Sequence, residues 1–202
     1  IRGVRKKATH DLGFLVPAVH IRDNLELPPN GYRLCINGVP ISEETVHPDR
    51  LMALNPGQVF GQVDGIKGRD PAFGLDAVWI EKGTRTDALS KGWTVVDSST
   101  VVATHIGHVI ESHAYQLIGH DEAQNLLENL SRQSPRLVED LVPKLLPLTV
   151  VVRVLQNLLE EGIAVRNFKQ IAESLAESAR QSQDPDILTA QVRVALGSQI
   201  VQ

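Results

Sequence analysis

WTVVDSSTVV, residues 93–102, carries a change in hydrophobic periodicity that sets the fold class. Its first part, Trp93–Val96, is a short apolar run typical of a strand. Ser98, Ser99 and Thr100 then supply hydroxyl groups of the kind that cap the first turn of a helix. The sequence therefore predicts an α+β or α/β half over residues 1–117, with a helical period from residue 98 onward.

The first half contains helix and strand candidates around a region rich in Gly and Pro. A basic amphipathic segment over residues 1–13 closes with Gly13, which predicts a helix and its end. The other candidates are the extended segments Leu15–Asp23, Gly31–Ile41, Leu75–Glu81 and Trp93–Val96, and a short helix near Thr86–Ser90. Pro48–Asp70 holds only the short apolar run Leu51–Leu54, and we interpret it as a small inserted unit.

Helical spacing continues through the second half. The first helix is expected to run from Ser98 to Leu117, and the later ones to begin at Asp121 as the N-cap, at Pro135, and at Asp184. Between these, Val151–Leu159 and Phe168–Ala176 carry apolar residues at the spacing of a core-facing stripe. Glu161–Arg166 is expected to form a turn with a short strand. The second half is therefore predicted to be a compact helical bundle with its own core.

Composition and charge exclude several classes of protein. A net charge of −4 and 4% aromatic residues supply neither the positive field nor the stacking surface of a nucleic-acid-binding chain. Cys35 is the only cysteine, which rules out an internal disulfide framework. No apolar run approaches the ~20 residues that cross a bilayer. The chain begins with Ile1-Arg2 and its single methionine is Met52, so we expect a soluble piece of a longer protein.

The residue types that carry catalysis do not form a recognised pattern. His105, His108 and His113 share one predicted helix, where they are expected on a partly exposed face rather than as zinc ligands. Cys35 lies in a predicted strand, where a small buried thiol is expected rather than a nucleophile. No GxSxG, P-loop or GxGxxG motif occurs. The sequence therefore predicts a chain that is not an enzyme and that holds no metal or cofactor.

A winged-helix nucleic-acid-binding module is a second interpretation of the helical half. Its recognition helix would be Asn167–Glu177, in which Lys169 and Gln170 are balanced by Glu173 and Glu177. The basic residues of the first helix are typical of a solvated helix face. We therefore expect no nucleic-acid partner.

DPAFGL, residues 70–75, is the segment that suggests protein recognition. It places an aromatic residue in a turn directly before a strand candidate. Pro71 fixes its own φ and Gly74 relaxes the backbone, so Phe73 could be presented at the surface. Phe73 could equally fill the core of the small inserted unit, and composition alone leaves both interpretations open.

Six stretches together resemble one family, the FHIPEP family of export-gate proteins. They are DLGFLVP (11–17), HIRDNL (20–25), DPAFGLDAVWI (70–80), STVVATH (99–105), VLQNLL (154–159), and DP (184–185) followed by LTA (188–190) and VRVALG (192–197). In order and without large gaps, they cover essentially the whole chain and resemble the cytoplasmic region of these proteins. The family serves type III secretion. The amino-acid sequences of these stretches resemble its flagellar members more than its injectisome members.

The resemblance implies an architecture. Residues 1–48 and 98–117 would form a thioredoxin-like first subdomain, residues 49–97 an inserted second subdomain of small α/β type, and residues 118–202 a helical, winged-helix-like third. A membrane domain and a linker would precede the chain, and a fourth subdomain would follow it. The whole protein would lie in the bacterial inner membrane, with this region on its cytoplasmic face. The intact region would form a ring of nine, whereas the fragment is expected to be a monomer.

The resemblance also implies a function and a site. The region would receive export chaperones carrying late flagellar substrates, together with other proteins of the export apparatus. The family's chaperone-binding dimple contains an Asp, a Phe and a Thr, which correspond here to Asp70, Phe73 and Thr104. Phe73 would be an aromatic anchor, Asp70 would hold a donor at the rim, and Thr104 would shape the wall. Their neighbours Pro71, Leu75 and Val101 are weaker candidates, and Val101 could equally belong to the core.

Overall fold

The computed structural model describes the backbone of residues 2–200 and the side chains of residues 2–197. The chain divides into two compact units. We call residues 20–109 the sheet unit, and residues 2–19 with 110–200 the helical unit. No helix within the described residues is both long and apolar enough to cross a membrane. The three-subdomain layout implied by the resemblance stays a prediction.

Helices and strands alternate in the first part of the chain and helices follow. The strands are β1 (Gly31–Ile36), β2 (Val39–Thr45), β3 (Arg50–Leu54), β4 (Ile66–Arg69), β5 (Asp76–Glu81) and β6 (Thr94–Asp97). The helices are α1 (Arg2–Leu12), α2 (Arg85–Ser90), α3 (Ser98–Ser112), α4 (Ala114–Leu117), α5 (His120–Ser131), α6 (Pro135–Glu139), α7 (Leu148–Glu160), α8 (Phe168–Ser178) and α9 (Pro185–Ile200). This mixture confirms the α+β class.

An antiparallel hairpin, β1 with β2, opens the sheet unit. The sequence predicted one extended segment over Gly31–Ile41, and the structure corrects this, because the chain reverses at Asn37-Gly38. Both residues have positive φ, 51° and 78°, and Ile36 pairs directly with Val39. A two-residue loop with two positive φ angles is the type I′ turn that Asn-Gly favours. The Asn-Gly pair was therefore the local signal for the reversal.

A four-stranded antiparallel sheet forms the rest of the sheet unit, in the order β4-β5-β3-β6. β5 and β6 confirm two of the predicted strands to within one residue, and the apolar run Leu51–Leu54 becomes β3. β4 lies in the Gly- and Pro-rich region and was not predicted. All four of its residues are exposed, so it shows no alternation of apolar and polar residues. Its pairing with β5 defines it as a strand.

Each face of this sheet carries a small core, because side chains alternate along β3 and β5. The first cluster consists of Leu51, Ala53, Val78, Ile80, Ala88 and Trp93. The second consists of Met52, Ala77, Trp79 and Val101. Val101 comes from α3, so this helix covers the second face of the sheet.

The amino end of α3 is capped by Asp97. Its Oδ1 accepts hydrogen bonds from the Thr100 amide at 2.8 Å and from the Ser99 hydroxyl at 3.1 Å. Hydrogen bonding by the Thr100 side chain, the Thr100 amide and the Ser99 hydroxyl holds the pKa of the Asp97 carboxyl below its usual value. The sequence predicted that serine and threonine hydroxyls would cap this helix, and the structure corrects that assignment. The single helix predicted from Ser98 to Leu117 is also interrupted at His113, between α3 and α4.

The helical unit is built on the predicted apolar stripes. The side chains buried along α7, α8 and α9 are Val151, Val152, Val154, Leu155, Leu158, Leu159, Phe168, Ile171, Ala172, Leu175, Leu188, Val192 and Leu196. α9 packs against both α7 and α8. Gly13 ends α1 with a φ of 91°, and a Cβ at this position would lie only 2.3 Å from the Arg166 amide nitrogen. The predicted end of the first helix is confirmed.

Four predictions, one for residues 15–23 and three for the helical unit, need correction. Leu15–Asp23 and Glu161–Arg166 contain no strand, although the Val165 amide donates to the Leu12 carbonyl at 2.8 Å. Gly119, not Asp121, immediately precedes α5, and its amide donates to the Glu122 carboxylate at 3.0 Å. The helix predicted from Asp184 begins at Pro185, and its last two residues, like residue 1 of the first predicted helix, lie outside the described residues.

Candidate functional site

The turn Asp70–Leu75, which we call the docking turn, connects β4 to β5. The Asp70 amide donates to the Leu75 carbonyl at 2.9 Å, and the Gly74 amide donates to the Asp70 carbonyl at 2.9 Å. Gly74 has a φ of 69°, a left-handed conformation that glycine adopts without steric cost. The backbone of the docking turn is therefore closed on itself.

The carboxylate of Asp70 stabilises this turn by accepting hydrogen bonds from the turn's own backbone amides. Its Oδ2 accepts a hydrogen bond from the Phe73 amide at 2.7 Å, and its Oδ1 accepts a longer one from the Ala72 amide at 3.4 Å. The residue is only 4% exposed. The expectation that Asp70 holds a donor at the rim of a dimple is therefore corrected, because its carboxylate binds the turn's own amides. A buried carboxylate that accepts backbone amides is a strong local restraint.

Phe73 lies at the surface of the docking turn. Its side chain is 67% exposed, and its ring packs edge-on against His108, with 5.7 Å between ring centroids and an interplanar angle of 65°. The interpretation that Phe73 fills the core of the inserted unit is therefore wrong. Thr104 lies one helical turn before His108 on α3, and both residues are exposed. The structure thus places Phe73 beside the face of α3 that carries Thr104.

The weaker candidates separate into accessible and buried residues. Leu75 is 39% exposed and Pro71 is partly buried, so both can contribute to a surface next to Phe73. Val101 is 4% exposed and belongs to the core cluster on the second face of the sheet. Of the two interpretations of Val101, the structure supports the core.

A polar pair, one member buried and the other partly buried, lies in the same unit as the docking turn. The Tyr32 hydroxyl on β1 and His105 Nδ1 on α3 share a hydrogen bond of 2.7 Å, and their rings meet edge-on at 5.6 Å. His105 is only 2% exposed, whereas the sequence predicted a partly exposed helix face. No local sequence pattern indicates this pair, because its two members are 73 positions apart.

Burial and nearby charges shift the protonation equilibria of this pair. Burial and the neighbouring His108 lower the pKa of His105, and the carboxylate of Asp70 opposes that change. Burial, Glu44 and Asp70 raise the pKa of the Tyr32 hydroxyl. Asp70 therefore acts electrostatically on both members of the pair while its carboxylate caps the docking turn. At neutral pH the pair is held in its uncharged form.

The remaining candidates for a chemical site were metal-ligating side chains and the thiol of Cys35. Within the described part of the chain, no three His, Cys, Asp or Glu side chains are grouped in a way that could hold a metal ion. Cys35 is exposed, not buried as the sequence predicted. The alternation of β1 explains this, because the next residue, Ile36, points inward and is 7% exposed.

Known proteins resemble this chain over its full length. The flagellar biosynthesis protein FlhA of Yersinia enterocolitica is 50% identical over 202 residues, which is 100% of this chain and 29% of that protein. The chain thus spans less than a third of the length of this relative. The printed name of this relative is that of a flagellar biosynthesis protein.

Solved structures of secretion proteins share the fold. The Chlamydia pneumoniae CdsV protein in complex with CdsO gives a TM-score of 0.84 at 23% identity, covering 97% of this chain and 60% of that one. The nonameric SctV-C of EPEC gives a TM-score of 0.73 at 21% identity, covering 98% and 60%. The FHIPEP family model matches residues 1–202, and the chain therefore belongs to the FHIPEP family.

Proposed function

We propose that this chain is the part of a flagellar export gate that docks chaperones carrying export substrates, with the docking turn as its contact surface. The observation that carries the proposal is the placement of Phe73. This aromatic side chain is 67% exposed, although its backbone amide is fixed by the buried carboxylate of Asp70. Single exposed apolar side chains are common, but Phe73 differs from the others in that its backbone amide is fixed by a buried carboxylate, which holds the ring in a defined place.

The physics of the turn favours docking in two ways. A central aromatic anchor commonly contributes about 2 kcal/mol or more to an interface, whereas rim residues contribute little. The Asp70 carboxylate also restrains the turn before any partner arrives, which lowers the conformational entropy lost on binding. Thr104, Leu75 and Pro71 would complete the surface around Phe73.

The partner and the setting are inferred from the family. The flagellar relative and the resemblance together suggest export chaperones with late substrates, and other proteins of the export apparatus. In the whole protein this region would lie at the cytoplasmic face of the bacterial inner membrane. The nonameric neighbour supports a ring of nine for the intact region, and the neighbour bound to CdsO supports contacts with other secretion proteins. We expect this chain by itself to be a monomer.

Two alternatives were open from the sequence. An injectisome export gate is less well supported, because a flagellar relative is 50% identical, against 21–23% for the secretion-system structures described above. A winged-helix nucleic-acid binder would need cationic and amide side chains on the outer face of α8. Lys169 is exposed there, but so are Glu173 and Glu177, and Gln170 donates to the Ala195 carbonyl at 2.9 Å inside the helical unit. A nucleic-acid complex would also weaken steeply with salt, which a chaperone complex held by an apolar anchor would not.

Titration calorimetry with a flagellar chaperone–substrate complex tests the proposal. We expect Phe73→Ala to weaken binding by about thirtyfold or more, the factor that corresponds to loss of an anchor residue. Phe60→Ala is the matched control, because Phe60 is an equally apolar side chain, 85% exposed, in another loop of the same unit. Equal binding by all three proteins would remove the docking turn from the interface. No binding by the unmodified chain would reject docking by this region alone.

A further inference from the structure

We propose that a cavity in the sheet unit, which we call the cationic cavity, binds an acidic segment of a partner protein. The cavity has a volume of about 510 Å³, and its lining consists of Pro48, Arg50, Leu51, Lys82, Arg85, Asp97, Ser98 and Ser99. None of these residues belongs to the docking turn. The inference therefore goes beyond the proposed function, since it assigns a second surface to the same unit.

The antiparallel register of the sheet brings the cations of this cavity together. β3 begins at Arg50, and both of its neighbours, β5 and β6, end beside its first residues. Arg50 is paired with Glu81, the last residue of β5. Lys82 follows β5 directly, and Arg85 is the first residue of α2. Three cationic side chains from separate segments therefore surround one cavity at one end of the sheet.

The side chains of these cations leave donors for a ligand. In the part of the chain that the structure describes, no carboxylate forms an ion pair with Arg50, Lys82 or Arg85. Arg50 is partly buried, and its Nη1 donates to the Trp79 carbonyl at 3.2 Å, which orients the guanidinium. Lys82 and Arg85 are exposed. Because a guanidinium carries several N–H donors, the contact with Trp79 leaves others free to bind an oxyanion.

The lining carries an excess of positive charge, although the net charge of the whole chain is −4. Its three cations face one carboxylate, that of Asp97. The Oδ1 of Asp97 already accepts hydrogen bonds from the Thr100 amide and the Ser99 hydroxyl. Arg85 adds to these hydrogen bonds in lowering the pKa of this carboxyl. The remaining positive charge favours an anionic ligand.

The arrangement of donors favours several carboxylates over a single phosphate. A phosphate at the start of a helix is held by the backbone amides of the first turn. Here the Asp97 carboxylate already accepts the Thr100 amide of α3, at 2.8 Å. The cationic donors of the cavity are side chains on separate segments, and they suit carboxylates that are spaced along a peptide. We therefore assign the cavity to a segment rich in Asp or Glu.

The cationic cavity and the docking turn lie at opposite ends of β5. The docking turn leads into this strand at Asp76, and Lys82 follows the last residue of the strand, Glu81. Since a strand advances roughly 3.4 Å per residue, its two ends are about 17 Å apart. A short acidic peptide in the cavity has no need to contact Phe73, so the two surfaces can be tested separately.

Titration of this chain with a short oligoglutamate peptide, followed by nuclear magnetic resonance, tests the proposal. The backbone amides of Leu51, Lys82 and Ser98 should shift. Binding should weaken when the ionic strength is raised from about 0.05 M to about 0.2 M, because salt screens exposed charges. An oligoglutamine peptide of the same length should leave these amides unchanged. Equal shifts with the two peptides would overturn the proposal, since charge would then play no part.

Two double variants separate the cavity from the net charge of the chain. Lys82→Gln with Arg85→Gln should weaken oligoglutamate binding about fivefold or more, as expected for the loss of two exposed charge contacts. The matched control is Lys67→Gln with Arg22→Gln, which removes an exposed lysine and an exposed arginine of the same unit outside the cavity. The control and Phe73→Ala should bind as the unmodified chain does. An equal loss in the two double variants, or a comparable loss in Phe73→Ala, would overturn the assignment to this cavity.

Two other anions test the class of ligand. Pyrophosphate and vesicles that contain phosphatidylglycerol present phosphate charges without a peptide, and both should bind more weakly than oligoglutamate. Tighter binding of pyrophosphate at the same amides would assign the cavity to a phosphate-bearing ligand. Vesicle binding that is tighter than oligoglutamate binding and is lost in the Lys82→Gln, Arg85→Gln variant would assign it to a membrane surface. Each of these outcomes overturns the proposal, as does the absence of shifts with all three anions.

Discussion

The two units of the chain differ in whether they bury ionisable side chains. In the helical unit, α7 and α8 bury apolar side chains at helical spacing, and their stability follows from the area removed from water. In the sheet unit, two small apolar clusters lie on opposite faces of the sheet. Two ionisable side chains, those of Asp70 and His105, are also buried in this unit. Burial of ionisable groups therefore distinguishes the sheet unit from the helical unit.

This difference indicates which of the two units can respond to a change in pH. A core of leucine, valine and isoleucine changes little with pH or with small ligands. A buried imidazole has a charge state that depends on pH, and His105 lies in the unit that exposes Phe73. Tryptophan fluorescence reports on the sheet unit alone, because both tryptophans, Trp79 and Trp93, lie in that unit.

The largest effect is expected in the apolar core of the helical unit. Leu155 on α7 is fully buried, so Leu155→Ala removes apolar contacts and leaves a cavity that costs about 3 kcal/mol of unfolding free energy. Urea titration followed by far-ultraviolet circular dichroism should show the loss. Val194→Ala, at a 73% exposed position on α9, is the control and should change the midpoint little. Equal midpoints for the two variants would contradict the description of this core.

A smaller effect is expected at the docking turn. Asp70→Ala removes the acceptor of two amides and leaves the Phe73 amide without its partner, at a cost of about 1–3 kcal/mol. Tryptophan fluorescence during urea titration should report this loss in the sheet unit. Asp70→Asn keeps one side-chain oxygen and should retain part of the stability. If Asp70→Ala unfolds at the same urea concentration as the unmodified chain, the carboxylate does not restrain the turn.

The fold could be predicted from the sequence wherever the determinant is local. The stripes of α7 and α8, the end of α1 at Gly13 and the apolar runs of β5 and β6 all follow from spacing and from single residues. The hairpin turn at Asn37-Gly38 is also local, and it was missed although both residue types favour positive φ. β4 could not be predicted, because an exposed edge strand has no pattern of its own and depends on its partner β5.

The candidate site likewise combines features that a local sequence pattern indicates with features that depend on distant segments. The family resemblance pointed to Asp70, Phe73 and Thr104. The structure adds that Phe73 is exposed and that the buried Asp70 carboxylate accepts hydrogen bonds from the backbone amides of the turn. The Tyr32–His105 bond joins a hairpin to a helix, and no local pattern could have predicted it. A residue's chemical type indicates that it can bind a proton or an amide, but the partner is decided by packing between distant segments.

The stability of the sheet unit should depend on pH through His105. Burial lowers the pKa of this imidazole in the folded chain below the ordinary value of about 6.5. Below that pH the unfolded chain binds the proton more readily, so stability is complete at neutral pH and declines as the pH falls through about 6.5. His105→Gln should remove this part of the pH dependence, measured as urea midpoints from tryptophan fluorescence. Identical pH profiles in the two proteins would show that the folded state does not disfavour the charged imidazole.

The smallest effect is expected at Gln170, a polar side chain in the helical unit. Its Nε2 donates to the Ala195 carbonyl, but its Oε1 is buried and is the one such side-chain acceptor without a partner among the described residues. Replacing a half-satisfied buried group by an apolar one of similar shape is nearly neutral, so Gln170→Met should change the unfolding free energy by less than about 1 kcal/mol. A loss as large as that of Asp70→Ala would show that the helical unit also depends on a specific buried polar contact. A neutral result, beside a costly Asp70→Ala, would confine that dependence to the unit that presents Phe73.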